Sequence, residues 1–94
     1  MRKVRRDVHW DVGAWQSFLA WQTVDPAIFA KIITLLNECL GDNPFKGTGQ
    51  PEPLKHELQG YWSRRLNREH RLVYEVSDEC IYVLQCGTHY QKGK

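Results

Sequence analysis

No stretch of the 94-residue sequence approaches the ~20 consecutive apolar residues that a membrane-spanning helix requires. The opening Met-Arg-Lys-Val-Arg-Arg carries positive charge with no apolar run behind it, so no secretory leader is expected. Cysteine is scarce. Cys39, Cys80 and Cys86 make an odd number with no Cys-x-x-Cys pair, which argues against a disulfide framework and predicts buried free thiols in a reducing cytoplasm. His9, His56 and His70 show no metal-ligand spacing among themselves or with the cysteines, so neither a metal nor a cofactor is expected. There is no Gly-x-Ser-x-Gly elbow, no phosphate-binding Walker loop and no dinucleotide fingerprint. Charge of one sign is also lacking: 13 basic against 11 acidic residues leave a net +2, too little to argue nucleic-acid binding from the total. Any such argument rests on distribution.

What is present describes one small domain over 1–94, with 41% hydrophobic and 26% charged residues, ordinary for a globular chain. A basic arm (1–6) and a tail (91–94) are expected to be flexible at its ends. Val8-His9-Trp10 reads as a short strand, and Asp11 as the N-cap of a helix over Ala14 to Gln22. Trp15, Phe18, Leu19 and Gln22 recur there at i, i+3, i+4 and i+7, which predicts the buried stripe, with Trp21 covering its flank. Asp25-Pro26 opens a second helix, Asp25 as N-cap and Pro26 at the first helical position. Ile28, Ile32, Leu35, Leu36 and Cys39 form its apolar stripe, Phe29, Ile33 and Leu40 widen it, and Gly41 marks the stop. From Asp42 to Pro53 the density of Gly, Pro and Asn predicts a loop throughout. Strands follow at Leu54 to Leu58, Tyr61 to Leu66, Arg71 to Val76 and Cys80 to Cys86, the second and third joined across Asn67-Arg68-Glu69-His70. The expected fold is α+β: a short N-terminal strand and an αα-hairpin packed on a mainly antiparallel sheet.

The chemistry concentrates between Pro51 and Arg71. Pro51 and Pro53 each have φ fixed near −65° and disfavour the α region for the residue before, so Glu52 sits in an extended, locally stiff segment. Lys55, Arg64, Arg65, Arg68 and Arg71 follow within a short span. Strand alternation keeps Arg64 and Arg65 from both facing the core, and sets Arg65 with Tyr61 and Ser63 but Arg64 with Trp62 and Leu66. Leu72, Tyr74 and Val76 form the core face of the next strand, Arg71, Val73 and Glu75 the charged one. Pairing around residues 67–70 would bring Arg65 and Arg71 close enough to clamp one phosphate. Such like charges repel unless an anion sits between them. A fixed carboxylate beside planar guanidinium donors suits phosphate chemistry; a surface loop followed by a solvated basic hairpin is the other reading. After the last strand come His89 and Tyr90. A histidine there suits a general acid, and a tyrosine can stack on a base or hold a phosphate.

Pro-Glu-Pro-Leu-Lys-His, Gly-Tyr-Trp-Ser-Arg-Arg, Glu-His-Arg-Leu-Val-Tyr and the late His-Tyr, in this order, resemble the YoeB (Txe) family within the RelE/ParE toxin superfamily. The likeness runs from about Trp10 to Tyr90 and includes Ala-Trp-Gln-Ser-Phe-Leu-Ala-Trp-Gln and Asn-Pro-Phe-Lys-Gly. It implies a RelE-like α+β fold and a metal-independent endoribonuclease that cuts mRNA in the ribosomal A site and inhibits translation. Carried over by motif, it makes Glu52 the general base and His89 the general acid. Arg65, Arg71 and Lys55 would stabilise the phosphorane, and Tyr90 would position the substrate. A YefM-like antitoxin, mRNA and the ribosome, and a homodimer are the implied partners. The other reading within the superfamily is a non-catalytic member that acts by binding, similar to the gyrase-poisoning ParE branch or an antitoxin-binding regulator.

Overall fold

In the computed structural model, which describes residues 6–87, the elements are β1 (Asp7–Trp10), α1 (Val12–Val24), α2 (Pro26–Cys39), β2 (Glu52–Pro53), β3 (Trp62–Arg65), β4 (Arg71–Val76) and β5 (Cys80–Gly87). A single 3₁₀ turn spans His56–Leu58. The five strands form one sheet in the order β1-β5-β4-β3-β2, antiparallel except for the parallel β1–β5 pair. The expected α+β architecture, with two helices against one face of a mainly antiparallel sheet, is what forms. No helix among the described residues is long and apolar enough to cross a membrane. His89, Tyr90 and the tail lie outside the described residues, as does the arm apart from Arg6. Arg6 donates from Nε to the Ser77 carbonyl at 2.8 Å.

Both helices start where side chains can serve orphan N–H groups. Asp11 accepts from the Gly13 amide at 2.9 Å and Asp25 from the Ala27 amide at 3.1 Å, with Pro26 filling a first-turn position that needs no donor. Asp25 alone joins the helices, which forces an antiparallel hairpin. The α2 stripe buries as its periodicity implies: Ile28, Ile32, Leu35, Leu36 and Cys39 pack with Leu72, Tyr74, Ile81, Val83 and Cys86 of the sheet.

Helix α1 departs from its expected stripe. Phe18 packs inward as expected, but Trp15 and Leu19 are 42% and 46% exposed, Gln22 is exposed, and Ala14 and Trp21 face inward in their place. Apolar residues lie on several sides of this helix, so periodicity alone admitted two settings about its axis. Trp21 selects one by donating from Nε1 to the Cys86 carbonyl at 2.8 Å, and the small Ala14 allows close approach to β5, where Cys86 Sγ lies 3.3 Å from its carbonyl. Trp15 remains at the flank, edge-on to Trp10 at 5.4 Å between ring centroids.

The strand expected over Leu54 to Leu58 is corrected in register. Pairing occurs upstream, at Glu52–Pro53 against Ser63 and Trp62, inside what the turn residues marked as loop. Two prolines flanking one residue are tolerated because β2 is an edge strand, where their missing N–H groups leave no ladder bond unmade. One more bond, Leu54 N–H to the Tyr61 carbonyl (2.9 Å), closes the pair. His56 then takes a left-handed conformation (φ 59°), which ends extension. The thiols follow expectation at Cys39 and Cys86 but not at Cys80, which is only half-buried at the start of β5.

Candidate functional site

The face of the sheet away from the helices is assembled by register. Arg65 stands directly opposite Arg71 across the β3–β4 ladder, so both guanidinium groups leave the same face. Glu52 pairs with Ser63, which sets its side chain on that face one row along. Its Oε2 lies 3.9 Å from Arg71 Nη1, a loose ion pair with the Glu52 side chain 60% exposed. On β5 the partner of Arg71 is Gly87, which adds no side chain to the row. The β3–β4 connection holds this register firmly: Leu66 N–H donates to the His70 carbonyl at 2.8 Å, and Asn67 Oδ1 accepts from the Glu69 and His70 amides at 2.9 and 2.8 Å.

Of the residues singled out by sequence, Glu52, Arg65 and Arg71 are therefore brought together. Lys55 is exposed, three residues on in the turn that follows β2, with no ion pair among the described residues. His89 and Tyr90 lie beyond Gly87, where β5 ends beside Arg71. On the same face Val73, expected among charged neighbours, is 1% exposed, as is Ser63, its partner in the next strand. Among the described residues Ser63 Oγ has no hydrogen-bond partner.

Arg64 has a role the sequence reading missed. It points to the helix side, fully buried, and all five of its N–H donors are used: Nε to Tyr74 Oη (3.1 Å), Nη1 to Glu38 Oε1 (2.7 Å) and the Thr48 carbonyl (3.1 Å), Nη2 to the Pro44 (3.1 Å) and Lys46 (2.8 Å) carbonyls. A loop this rich in Gly and Pro has few internal partners for its carbonyls, and one guanidinium supplies them. Tyr74 adds a bond from its hydroxyl to the Pro44 carbonyl at 2.9 Å. Burial pushes that hydroxyl up to about 12, so it remains a donor at neutral pH. Glu38 closes the network, accepting from the Thr48 hydroxyl (2.6 Å) and amide (2.9 Å). Those two bonds and then Arg64 hold its carboxyl below the usual value of 4.5, against the opposing effect of burial. The signal for Arg64 was available in part, since alternation put it on the core face with Leu66, where an arginine demands partners.

The clamped loop leads into the site. Gly49 (φ 87°) presents its carbonyl to the Arg65 amide at 2.7 Å, and a β-carbon there would meet the Arg65 carbonyl at 3.0 Å, so only glycine lets the loop lie so close to β3. Glu52 follows three residues later. Its position is thus tied to Arg64 through the bond to the Thr48 carbonyl, the Gly49–Arg65 backbone bond and the pairing of Glu52 with Ser63. Elsewhere the chemistry is quiet. Burial pushes the Cys86 thiol up to about 12, leaving it protonated and a poor nucleophile. Among the described residues no three His, Cys, Asp or Glu side chains are grouped as metal ligands.

Comparison with known proteins agrees with this architecture. Residues 10–90 match the model of the YoeB-like toxin of bacterial type II toxin–antitoxin systems. Toxin YoeB of Escherichia coli (strain K12) is 46% identical over 84 residues, covering 86% of this chain and 95% of its own. The YoeB dimer from Staphylococcus aureus superposes with a TM-score of 0.84 at 38% identity, covering 93% of this chain and all (100%) of that one. A YoeB–YefM complex from the same organism gives 0.84 at 37% identity with the same coverage, 93% and 100%. A matched model over most of the chain, relatives near half identity and a shared fold lead to one conclusion: this chain belongs to the family of YoeB-like toxins of bacterial type II toxin–antitoxin systems.

Proposed function

We propose that the chain is a metal-independent endoribonuclease of the cytoplasm that cuts mRNA in the ribosomal A site and so inhibits translation. The observation that supports this most is the row Arg65–Arg71 with the Glu52 carboxylate beside it, on the open face of the sheet next to the end of β5. Glu52 takes the proton of the 2′-hydroxyl as the 2′-oxygen attacks phosphorus. Two facing guanidinium groups meet the charge that grows on the non-bridging oxygens, where fixed donors act most strongly. His89 gives a proton to the departing 5′-oxygen, Lys55 adds positive charge, and Tyr90 holds the nucleotide. The bond from phosphorus to the 5′-oxygen breaks, leaving a 2′,3′-cyclic phosphate and a 5′-hydroxyl. Glu52 acts by placement between two prolines rather than by intrinsic basicity.

A YefM-like antitoxin silences the protein, as an acidic, foldable segment can cover a basic site, and the free toxin forms a homodimer. Toeprinting of a translated message with purified protein tests the activity. The expected result is a cut at the A-site codon, unaffected by EDTA and abolished by a single 2′-deoxy sugar at that position. Normal cleavage of the 2′-deoxy message, or loss of activity in EDTA, would point to an activated water and a metal and would overturn the mechanism.

A further inference from the structure

Sharing Arg65 with the site is an open groove of about 370 Å³. Lys31 of α2, Gly49 and Gln50 of the clamped loop, and Arg65, Asn67 and Arg68 at the end of β3 and the turn line it. Among the described residues the three cations Lys31, Arg65 and Arg68 enter no ion pair and no carboxylate lines the groove. Its backbone wall is shaped by two consecutive left-handed residues, Gly49 (φ 87°) and Gln50 (φ 54°). For glutamine that conformation is strained, and it persists only where its surroundings enforce it. Asn67 uses its side-chain oxygen to brace the turn, which leaves its NH₂ group for a ligand.

Three uncompensated cations around a concavity that shares Arg65 with the candidate site call for an anion that continues beyond the site. A nucleic-acid strand has this form, because its charge repeats with every nucleotide. A strand with one phosphate between Arg65 and Arg71 carries its neighbour toward Arg68 and Lys31, and the amides of Gln50 and Asn67 suit sugar hydroxyls or base edges. We infer that this groove holds the sugar–phosphate chain of the RNA adjoining the cut, with Lys31 and Arg68 on a phosphate that is not cleaved. The inference rests on the RNA-cleaving reading above and adds the direction in which the strand leaves the site. The same chemistry is offered by a message and by ribosomal RNA.

The test uses the full-length toxin with Lys31→Ala, Arg68→Ala and the pair together, and the charge-keeping Lys31→Arg and Arg68→Lys. Binding is measured by fluorescence anisotropy to a single-stranded RNA oligonucleotide carrying one 2′-deoxy sugar at the cut, across a salt series, and by sedimentation with ribosomes lacking message. Each alanine variant should weaken binding roughly 3- to 10-fold and reduce the slope of log K against log salt by about 0.7, as for one lost phosphate contact on a single strand. The charge-keeping variants should restore both. Loss on the oligonucleotide supports the inference, and loss only on empty ribosomes would overturn it by assigning the groove to ribosomal RNA. Unchanged affinity and slope in both assays would overturn the inference. So would a loss confined to binding of the antitoxin, which would make the groove a site for an acidic peptide. If the variants weaken RNA binding but wild-type protein leaves an all-ribose message intact on ribosomes, the cleavage reading fails while the groove stands.

Discussion

Arg64 and Arg65 are consecutive in β3, yet they face two regions of opposite character. On the helix side, Arg64 is wholly enclosed, and every donor it has is committed to Glu38, Tyr74 and three loop carbonyls. On the open side, Arg65 is exposed, faces another arginine and has no ion pair among the described residues. A buried guanidinium is stable only when each N–H finds an acceptor, so Arg64 is tied to structure. Two facing guanidinium groups that share only the loose Glu52 pair on Arg71 are poorly explained by stability, and their arrangement favours an arriving anion. The same side chain, one residue along, is a clamp in one region and a ligand-ready group in the other. The regions are not independent, because the loop that Arg64 clamps delivers Glu52 to the open face.

The sharpest way to break this contrast is to remove each arginine in turn. Arg65→Ala and Arg71→Ala should each lower message cleavage by about 10²–10³-fold, the loss expected when a donor aimed at transition-state charge is deleted. Their melting temperatures should stay close to wild type, because Arg65 is exposed and the half-buried Arg71 makes only a loose ion pair. Cleavage within a fewfold of wild type for both would leave the open face without its assigned role.

Arg64→Ala should do the reverse first: destabilise by about 3 kcal/mol in urea unfolding, since it strands a carboxylate, a phenol and loop carbonyls together. Arg64→Lys should recover only part of this, as an ammonium cannot reproduce the planar fork. At temperatures where Arg64→Lys is still folded, its cleavage should fall because Glu52 is less well held. Unaltered loop protection in hydrogen exchange would show that the clamp does not position the loop.

A milder perturbation is available in pH. The Glu38 carboxyl titrates below its ordinary value in the folded protein, so its contribution is present above about pH 4.5 and is lost as pH falls through the depressed folded value. Stability measured by urea unfolding from pH 6 down to pH 3 should therefore decline, and Glu38→Gln should flatten part of that decline. An identical pH profile in the two proteins would remove Glu38 from the clamp.

The smallest effect separates the two sides of α1. Leu19→Ala, at an exposed position, should change stability by less than about 0.5 kcal/mol, whereas Trp21→Ala should lose roughly 2–3 kcal/mol with its packing and its bond to the Cys86 carbonyl. Equal losses would mean that α1 sits in the other setting about its axis.

Local chemistry was enough to read much of this protein from sequence. Asp11 and Asp25 are caps because a short carboxylate can accept from an orphan amide of the first turn, and the α2 stripe is legible because Ile28, Ile32, Leu35, Leu36 and Cys39 repeat along one face, although Ile33, expected to widen it, is left 42% exposed. Alternation in β3 and β4 placed Leu72 and Tyr74 inward and separated Arg64 from Arg65. Glu52, Arg65 and Arg71 were legible as a group because prolines and a four-residue turn constrain the chain between them. What the sequence left open needed partners distant along the chain. The setting of α1 depends on a bond from Trp21 to Cys86, the strand at Glu52 forms because β3 offers an edge there, and His56 turns away through a left-handed residue that no pattern announces. Arg64 could be placed on the core face by alternation, but its purpose appears only when Glu38, Pro44, Lys46, Thr48 and Tyr74 converge on it. Periodicity and capping act over a few residues and are written locally; register and the satisfaction of buried charge are settled by which segments meet, and that only the tertiary structure decides.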